Sequence, residues 1–394
     1  MRCYLSTVVL LLSIAHQCIA QENFILSSQA EVDNFGLTVE ASLLGNLIIS
    51  STGIQQLHAL NSIHHISGFL YIHNTDRLRD LQGLDSLHSI GGGFILQDNS
   101  RLTNLHGLGR LRNIGAYVTI ERNESLQNLE GLGPIIRIEG DLTALQNATL
   151  FNFQGLEGVR AIRGSIDLCD NPNLVDFTGL DNVRSVGGNI YIYNSAALRD
   201  LSGLNKLVRI GGEFDLGENR KLSSLQGLES LESIKDCFYI FNNPSLHSIE
   251  KLRNLRTLGG TLTIIFNGQL ASCEMKGLCS YFLDRSSGIN IWRNGKTCSS
   301  REAIQLPCTQ TRPFRSEISQ EVRVFPNRTK DIVYIEGIEQ IYHRIQISNL
   351  SGQILFETEI EQNHSIDLGQ YPNETYCIIL QSKNSQSTHR IIKW

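Results

Sequence analysis

Two aspartates, Asp167 and Asp215, are the residues whose type and spacing come closest to a catalytic pattern. They lie two lengths of a 24-residue repeat apart, which in a stack of strands separates their backbones by about 10 Å. Inverting glycosidases hold two carboxyl groups roughly 6.5–9.5 Å apart, so such a pair could cleave a polysaccharide. No Ser-His-Asp or Cys-His cluster, phosphate loop or metal motif accompanies them. The sequence therefore predicts no catalytic residues and no enzyme, with a polysaccharide-acting β-helix enzyme as the alternative.

A group of aromatic residues indicates a second kind of chemistry, which is binding. They occupy the outward positions of short alternating runs, and an outward sheet face is mostly polar unless something covers it. Aromatic rings favour binding surfaces because they bring a large contact area at a low entropy cost. The predicted ligand-binding residues are Tyr191, Tyr193, Asp215, Gly217, Tyr239 and Phe241.

Gly217 gives this group a predicted shape. It has no side chain and stands between the run that ends at Tyr193 and the run that ends at Phe241. We therefore expect a notch about 10 Å wide, walled by aromatic rings with Asp215 beside it. The predicted ligand is a protein or a glycan. The alternative is that these rings merely favour strands and stack as cross-strand neighbours.

A strict 24-residue period defines the elements that must position these residues. Gly-Leu pairs begin at Gly83, Gly107, Gly131, Gly155, Gly179, Gly203 and Gly227. Asparagine recurs on the same period at Asn99, Asn123, Asn147, Asn171, Asn219, Asn243 and Asn267. Such a period is typical of a solenoid, whose coils complete one another's core. Each coil opens with an alternating run such as Ile190–Tyr193, which predicts a strand with one face inward.

The recurring asparagines and paired glycines are predicted to be structural. A buried asparagine at each corner would satisfy backbone groups there. Gly-Gly pairs such as Gly211-Gly212 stand before several strands. We expect them to mark tight corners with positive φ, where glycine has no steric cost.

Composition and charge exclude several classes of protein. The chain has 394 residues and a net charge of −5, which gives no basic footprint for nucleic acid. Residues 1–20 carry Arg2, an apolar run and small residues at Cys18 and Ala20, and they predict a secretory signal peptide cut after Ala20. That run is too short to cross a membrane, and no other stretch qualifies. No cofactor and no metal site are predicted.

Four cysteines cluster after the last repeat, at Cys273, Cys279, Cys298 and Cys308. In an exported chain they predict two disulfides in a cap over the end of the core, with three pairings possible. A zinc site is the alternative, although the spacings are poor for one. Cys169, Cys237 and Cys377 are predicted to be unpaired, because Cys169 and Cys237 lie too many coils apart to bridge.

Residues 24–308 resemble the receptor L-domain group of leucine-rich-repeat-like solenoids. The resemblance is carried by the strand GNLIIS at 45–50, the steps NPNL at 171–174 and NPSL at 243–246, the opening segment at 25–36 and the cysteine cap. It implies a right-handed β-solenoid that binds other molecules and does no chemistry. The predicted organisation is an N-terminal cap at 21–44, repeats at 45–272 and a C-terminal cap at 273–308.

Residues 317–394, which follow a predicted linker at 309–316, resemble the C-terminal sorting domain of type IX secretion cargo. The matching features are Pro326-Asn327, the turn Leu350-Ser351-Gly352 and the basic tail from Arg390 to Lys393, while Arg328, Glu374 and Trp394 depart from the family pattern. The resemblance implies a small Ig-like β-sandwich, which agrees with the short strands of this region. The predicted fold class is therefore all-β.

The second resemblance also implies a route. The expected partner of residues 317–394 is the type IX secretion machinery. After removal of the signal peptide and of the C-terminal domain, the protein would be secreted or anchored at the bacterial surface or outer membrane as an adhesion or binding protein. The alternatives are an adhesive β-sandwich that stays attached and a purely structural surface-layer protein.

Overall fold

The computed structural model describes residues 22–39, 41–283, 288–309, 323–326, 328–336, 344–349, 353–359, 364–381 and 386–393. The predicted signal peptide, residues 310–316 of the predicted linker and the predicted turn at 350–352 lie outside the described residues. The chain divides into two compact units, one spanning residues 19–313 and the other containing residues 314–394.

Two parallel sheets run along the first unit, and nearly every coil adds one strand to each. The long sheet has 12 strands in chain order. They are Glu22–Leu26, Gly45–Ser50, Leu70–His73, Phe94–Gln97, Val118–Glu121, Leu142–Leu145, Ile166–Cys169, Ile190–Tyr193, Phe214–Gly217, Phe238–Phe241, Leu262–Ile265 and Ile289–Trp292. This stack confirms the predicted β-solenoid.

The narrow sheet has 10 strands of two residues each, also in chain order. They are Ser42–Leu43, His65–Ile66, Ser89–Ile90, Asn113–Ile114, Arg137–Ile138, Ala161–Ile162, Ser185–Val186, Arg209–Ile210, Ser233–Ile234 and Thr257–Leu258. Short 3-10 helices complete some coils, at His58–Leu60, Glu250–Leu252, Lys276–Leu278 and Lys296–Cys298.

The inward side chains of successive coils form one continuous core. Phe94 and Leu96 supply the inward positions of one strand, and Leu102, Leu105 and Leu108 supply the bends of the same coil, all with 0% exposure. Burying one such side chain stabilises the fold by roughly 1.5–3 kcal/mol. Since each coil covers the next, this stabilisation depends on the stack rather than on a single repeat.

The recurring asparagines form a buried ladder, which confirms their predicted structural role. Asn123 illustrates the pattern: its Nδ2 donates to Leu96 O at 3.1 Å, and its Oδ1 accepts from Asn99 N at 3.2 Å. Asn147, Asn219 and their relatives repeat it at 0% exposure. Each rung thus satisfies backbone groups that would otherwise be buried without partners.

Positive φ falls on a different glycine column from the one predicted. It is found in the Gly-Leu pairs, from Gly83 to Gly227, with φ from 98 to 112°. A Cβ at Gly107 would also lie 1.9 Å from Leu81 O. The Gly-Gly pairs are needed for a different reason: a Cβ at Gly211 would lie 2.1 Å from Gly187 O of the preceding coil. Close backbone approach, rather than φ, excludes a side chain there.

A helix at Gln29–Thr38 covers the first end of the core. Ser28 caps it, since its Oγ accepts a hydrogen bond from Glu31 N at 3.2 Å, and Glu31 in turn accepts one from Ser27 N at 2.6 Å. This reciprocal pair resembles a capping box, except that Glu31 bonds to the backbone of Ser27, one residue before the cap residue Ser28. Val32 is fully buried against the core.

The other end is closed by helices at Cys279–Leu283 and Arg301–Thr309 and by two disulfides. The prediction of two disulfides is confirmed, and the pairing left open by the sequence is Cys273–Cys298 and Cys279–Cys308.

The three remaining cysteines of the described residues do not all behave as predicted. Cys237 and Cys377 are free. Cys169 is disulfide-bonded, so the prediction that it is unpaired is wrong. The number of coils between Cys169 and Cys237 excludes a bond between these two residues, but it does not make Cys169 unpaired.

The second unit contains two small sheets. One has the strands Arg323–Phe325, Ile332–Glu336 and His364–Asp367, and the other has Arg328–Thr329, Gln386–Lys393, Thr375–Gln381, Arg344–Asn349 and Ile354–Glu359. Side chains from both sheets, such as Val333 and Ile378, share one core. This confirms the predicted small β-sandwich.

Lys393 in the basic tail is buried rather than displayed. It is 5% exposed, and its Nζ donates to Gly369 O at 3.0 Å and to Tyr371 O at 2.6 Å.

Among the described residues, no helix has the length and apolar character needed to cross a membrane.

Candidate ligand-binding face

The candidate site lies on the outer face of the long sheet, which comprises the second and fourth residues of its four-residue strands. Tyr191 and Tyr193 belong to this face, whereas Ile190 and Ile192 of the same strand belong to the solenoid core. The central residues of the outer face are Tyr71, His73, Ile95, Gln97, Thr119, Glu121, Thr143, Leu145, Asp167, Cys169, Tyr191, Tyr193, Asp215, Gly217, Tyr239 and Phe241.

The sheet register brings the predicted aromatic group together. Tyr191 pairs with Asp215, which pairs with Tyr239 on the next strand. Tyr193, Gly217 and Phe241 pair in the same way along the parallel column. The six residues therefore form one contiguous patch, here called the aromatic cluster.

The predicted notch at Gly217 is absent because a neighbouring ring fills it. A Cβ at Gly217 would lie 2.4 Å from the ring of Phe241, so this ring occupies the space that the glycine leaves. The rings of Tyr193 and Phe241 lie 5.7 Å apart between centroids in a tilted arrangement. The space that one missing side chain leaves between adjacent coils is about as thick as an aromatic ring, so the ring of Phe241 can fill it.

The cluster is also less exposed than an open binding face would be. In the complete chain Tyr191 and Tyr193 are each 2% exposed, Phe241 is 7% exposed, and Tyr239 is half-buried. Burial and then the hydrogen bond with Cys237 raise the pKa of Tyr239 above its usual value of 10. Tyr191, Tyr193 and Phe241 therefore lie at the predicted outward positions but are buried there.

The two candidate catalytic carboxylates both have close neighbours on the outer face. Tyr193 OH donates to Asp215 Oδ2 at 2.7 Å, and Cys169 Sγ lies 3.1 Å from Asp167 Oδ1. Asp167 and Asp215 flank the Tyr191 strand, as the repeat predicts. Among the described residues, no group of three or more His, Cys, Asp and Glu side chains could hold a metal ion.

Toward the N-terminal end of the same face lies a second group of aromatic and polar residues. The rings of Tyr71 and His73 stack with centroids 4.1 Å apart, and both residues are half-buried. Tyr71 OH donates to Gln97 Oε1 at 2.6 Å. This arrangement leaves part of a two-ring platform open to solvent, next to polar groups that are already positioned.

Arg122 organises the polar side of this platform. Its Nε and Nη2 donate to the two carboxylate oxygens of Asp98 at 2.6 and 2.8 Å, and its Nη1 contacts Glu121. This bidentate geometry fixes the guanidinium plane. We call Tyr71, His73, Gln97, Asp98 and Arg122 the platform cluster.

Burial and charge shift the pKa of several groups in the platform cluster. Burial, and then the nearby Asp98 carboxylate, raise the pKa of Tyr71 to about 12. Burial lowers the pKa of His73 below its usual 6.5, more than Asp98 raises it. The hydrogen bond to Asp98 raises the pKa of Arg122 further. At neutral pH the platform therefore presents a neutral phenol and a neutral imidazole beside a paired guanidinium.

Sequence reasoning missed a column of residues beside the outer face. Ten non-glycine residues directly before the ladder positions have positive φ, among them Asp98, Arg122, Asp170 and Asn194. Their side chains link coils: Asn194 Nδ2 donates to Asp170 Oδ1 at 2.5 Å. The signal was the frequent Asn or Asp at this position, since these residues tolerate the left-handed region best.

The last coil of the solenoid could not be identified from the 24-residue period. Trp292 stands on the final strand of the long sheet, and Arg293 lies over the rings of Phe266 and Trp292 at 5.4 and 5.2 Å. The asparagine of this coil, Asn294, follows Asn267 after a longer interval than 24 residues. The strict period therefore did not reach it, although Asn267 Nδ2 donates to Asn294 Oδ1 at 3.1 Å.

Comparison with known families gives two matches on separate parts of the chain. Residues 41–131 match the family model described as Receptor L domain, and residues 323–394 match the one described as Secretion system C-terminal sorting domain. No curated protein matches the chain. The first match includes the whole platform cluster, and the aromatic cluster lies C-terminal to it.

The fold and the two matches define the class of this protein. It is a β-solenoid of which residues 41–131 match the Receptor L domain, and residues 323–394 match a type IX secretion sorting domain. The sorting domain indicates export to the cell surface or into the medium and an interaction with the secretion machinery.

Proposed function

We propose that this chain is an exported, non-enzymatic binding protein that holds a protein or glycan ligand on the outer face of its long sheet. The observation that carries the proposal is the half-exposed Tyr71–His73 stack beside the Arg122–Asp98 pair. Stacked rings offer area to sugar or apolar surfaces, while the fixed polar groups supply directional hydrogen bonds.

The aromatic cluster extends the same proposed face. Its rings and Asp215 lie along the axis of the solenoid from the platform cluster, on the same side of the same sheet. An extended face suits a ligand longer than a single sugar or side chain. In this proposal the half-buried Tyr239 makes the contact, and the buried Tyr191, Tyr193, Asp215, Gly217 and Phe241 support it as a packed layer rather than a notch.

The test uses the secreted protein against a glycan array and a panel of purified extracellular proteins. Replacing Tyr71 and His73 together with alanine should weaken the strongest binding at least about tenfold, the effect of losing a central contact. The matched control replaces His64 and His88, a stacked pair whose rings lie 5.8 Å apart outside the outer face. Equal affinity of the Tyr71/His73 variant and the parent protein would refute the platform cluster as the binding site.

The contribution of the aromatic cluster is tested separately. Tyr193→Phe together with Tyr239→Phe removes two hydroxyl groups while keeping both rings, so the stack is retained. We expect binding several-fold weaker if the ligand extends to this cluster. Unchanged affinity in a folded double variant would restrict the site to the platform cluster.

The absence of catalysis is part of the proposal. Asp215, which is 1% exposed, already accepts a hydrogen bond from Tyr193 OH, and Asp167 is only 9% exposed, whereas a catalytic acid and base would need to face a substrate. We expect no release of reducing ends from host or microbial polysaccharides. Release that disappears in Asp167→Asn or Asp215→Asn would establish the polysaccharide-acting enzyme instead.

The proposed location is tested by the intact mass of the protein from its native cells, combined with surface proteolysis. We expect loss of residues 1–20 and of the segment after about residue 309, with the solenoid accessible from outside. A full-length chain retained inside the cell would contradict export. A mature solenoid that forms an ordered lattice and binds nothing would favour the surface-layer alternative.

A further inference from the structure

A row of arginines lies along the narrow sheet, away from the outer face of the long sheet. We call it the arginine stripe. Its members are Arg112, Arg137, Arg160, Arg163, Arg184 and Arg209. All six are exposed, although the whole chain has a net charge of −5. The stripe is therefore a local concentration of positive charge on an acidic protein.

Backbone register sets the spacing of the stripe. Arg160 and Arg184 occupy the same position on adjacent coils, because Arg184 N donates to Arg160 O at 2.9 Å. Arg137 and Arg209 stand at equivalent positions of two narrow-sheet strands, with Ala161 and Ser185 between them in register. Five coils carry the stripe, so it extends about 19 Å along the axis.

Little negative charge compensates the stripe. Glu139 pairs with Arg137 at 3.6 Å and with Arg163 at 3.0 Å. Within the described part of the chain, no carboxylate lies within ion-pair distance of Arg160 or Arg184. Like charges on adjacent coils repel each other, and such repulsion is relieved when an anion lies between them.

An apolar residue lies within the row. Ile136 is 59% exposed and occupies the coil position between those of Arg112 and Arg160, since Arg160 N donates to Ile136 O at 2.9 Å. A solvent-facing isoleucine flanked by guanidinium groups suits a ligand with both anionic groups and an apolar C–H surface. Acidic sugars have this combination, whereas a nucleic acid offers phosphates along its backbone and stacked bases.

We propose that the arginine stripe binds a linear acidic polysaccharide laid along the solenoid axis. Its carboxylate or sulfate groups would fall between guanidinium groups of successive coils, and the planar guanidinium group of Arg forms bidentate hydrogen bonds with such oxyanions. One sugar ring would rest on Ile136. The site is separate from the outer face, so it holds whether or not the proposed ligand face does.

The test measures binding of the secreted full-length solenoid to polygalacturonate, dextran sulfate and neutral dextran. We expect binding to at least one acidic polymer, none to neutral dextran, and weaker binding as ionic strength rises. Arg160→Gln with Arg184→Gln should weaken binding by about tenfold, the expected loss for two exposed charged contacts.

The matched control is Arg77→Gln with Arg101→Gln. These two exposed arginines also lie one coil apart, around a surface groove with Asp76 and Ser100, and their loss changes the net charge equally. Equal weakening by both variants would reduce the effect to net charge and overturn the proposal. So would failure to bind either acidic polymer, or duplex DNA binding tighter than both.

Discussion

The two faces of the long sheet share the same strands but differ in how strictly they repeat. On the inner face, coil after coil places an apolar residue and an asparagine at the same positions, at or near 0% exposure. On the outer face, tyrosine, threonine, aspartate, cysteine and isoleucine replace one another from coil to coil. The inner residues must fit identical neighbours, whereas the outer ones need not, which leaves them free to form a specific surface.

The largest expected effect comes from removing one rung of the asparagine ladder. Asn219→Ala loses the bond from Ser195 N at 3.0 Å and the two that Nδ2 donates to Ile192 O and Gly217 O. We expect a loss of about 2–4 kcal/mol in the free energy of unfolding, because buried backbone groups lose partners. Chemical denaturation measures it, and Asn242→Gly, at an exposed position with φ of 51°, should change stability by under about 0.5 kcal/mol.

The next effect tests the glycine of the Gly-Leu pairs. Gly155 has φ of 109°, and a Cβ there would lie 2.0 Å from Leu129 O. Gly155→Ala should therefore cost about 2–3 kcal/mol. Gly109→Ala is the control, since a Cβ there meets nothing within 4 Å. Similar melting temperatures for the two variants would show that this column is not fixed by backbone geometry.

A smaller effect of opposite sign is expected where the ladder is interrupted. Ser195 occupies a ladder position, and its hydroxyl lies 3.5 Å from Tyr193 O, so it supplies no amide to the neighbouring coils. Ser195→Asn should restore the ladder between Asn171 and Asn219 and stabilise the protein by about 1 kcal/mol. Destabilisation would mean that the coil of the aromatic cluster is built differently from its neighbours.

The smallest effect concerns the outer face and pH. Burial lowers the pKa of His73 below 6.5, so the unfolded chain binds the proton more readily than the folded one. The stability contributed by neutral His73 is complete above pH 6.5 and decreases as pH falls toward the lowered pKa. Histidine NMR titration should find the His73 midpoint below 6.5, and a midpoint above 6.5 would show that Asp98 outweighs burial.

Much of the fold could be predicted because every coil buries the same types of residue at the same positions. A 24-residue period with apolar residues at the inward positions indicates stacked strands. An asparagine at the same position of successive coils indicates a buried structural role. The outer face was harder to predict. A glycine in one sequence position indicated a notch at Gly217, but the ring of Phe241 on the next strand fills it. Such side-chain packing depends on rotamers, which a single sequence does not specify.

Two other features escaped prediction for related reasons. The disulfide pairing depended on how the cap folds over Cys273 and Cys279, which spacing alone leaves open. The arginine stripe occupies positions that hold other residues on other coils, such as Ile136, Val208, Ala161 and Ser185, so no column of the repeat identifies it. Features shared by all coils can be read from the sequence, and features confined to a few coils required the structure.

The most direct test of the outer face as the ligand-binding surface is hydroxyl-radical footprinting of the secreted protein, alone and with its strongest array binder. The account predicts that Tyr71 and His73 become protected, whereas Phe151, 36% exposed and outside the outer face, does not change. Protection at Phe151 with none at Tyr71 or His73 would contradict it, and the ligand would bind another surface of the solenoid.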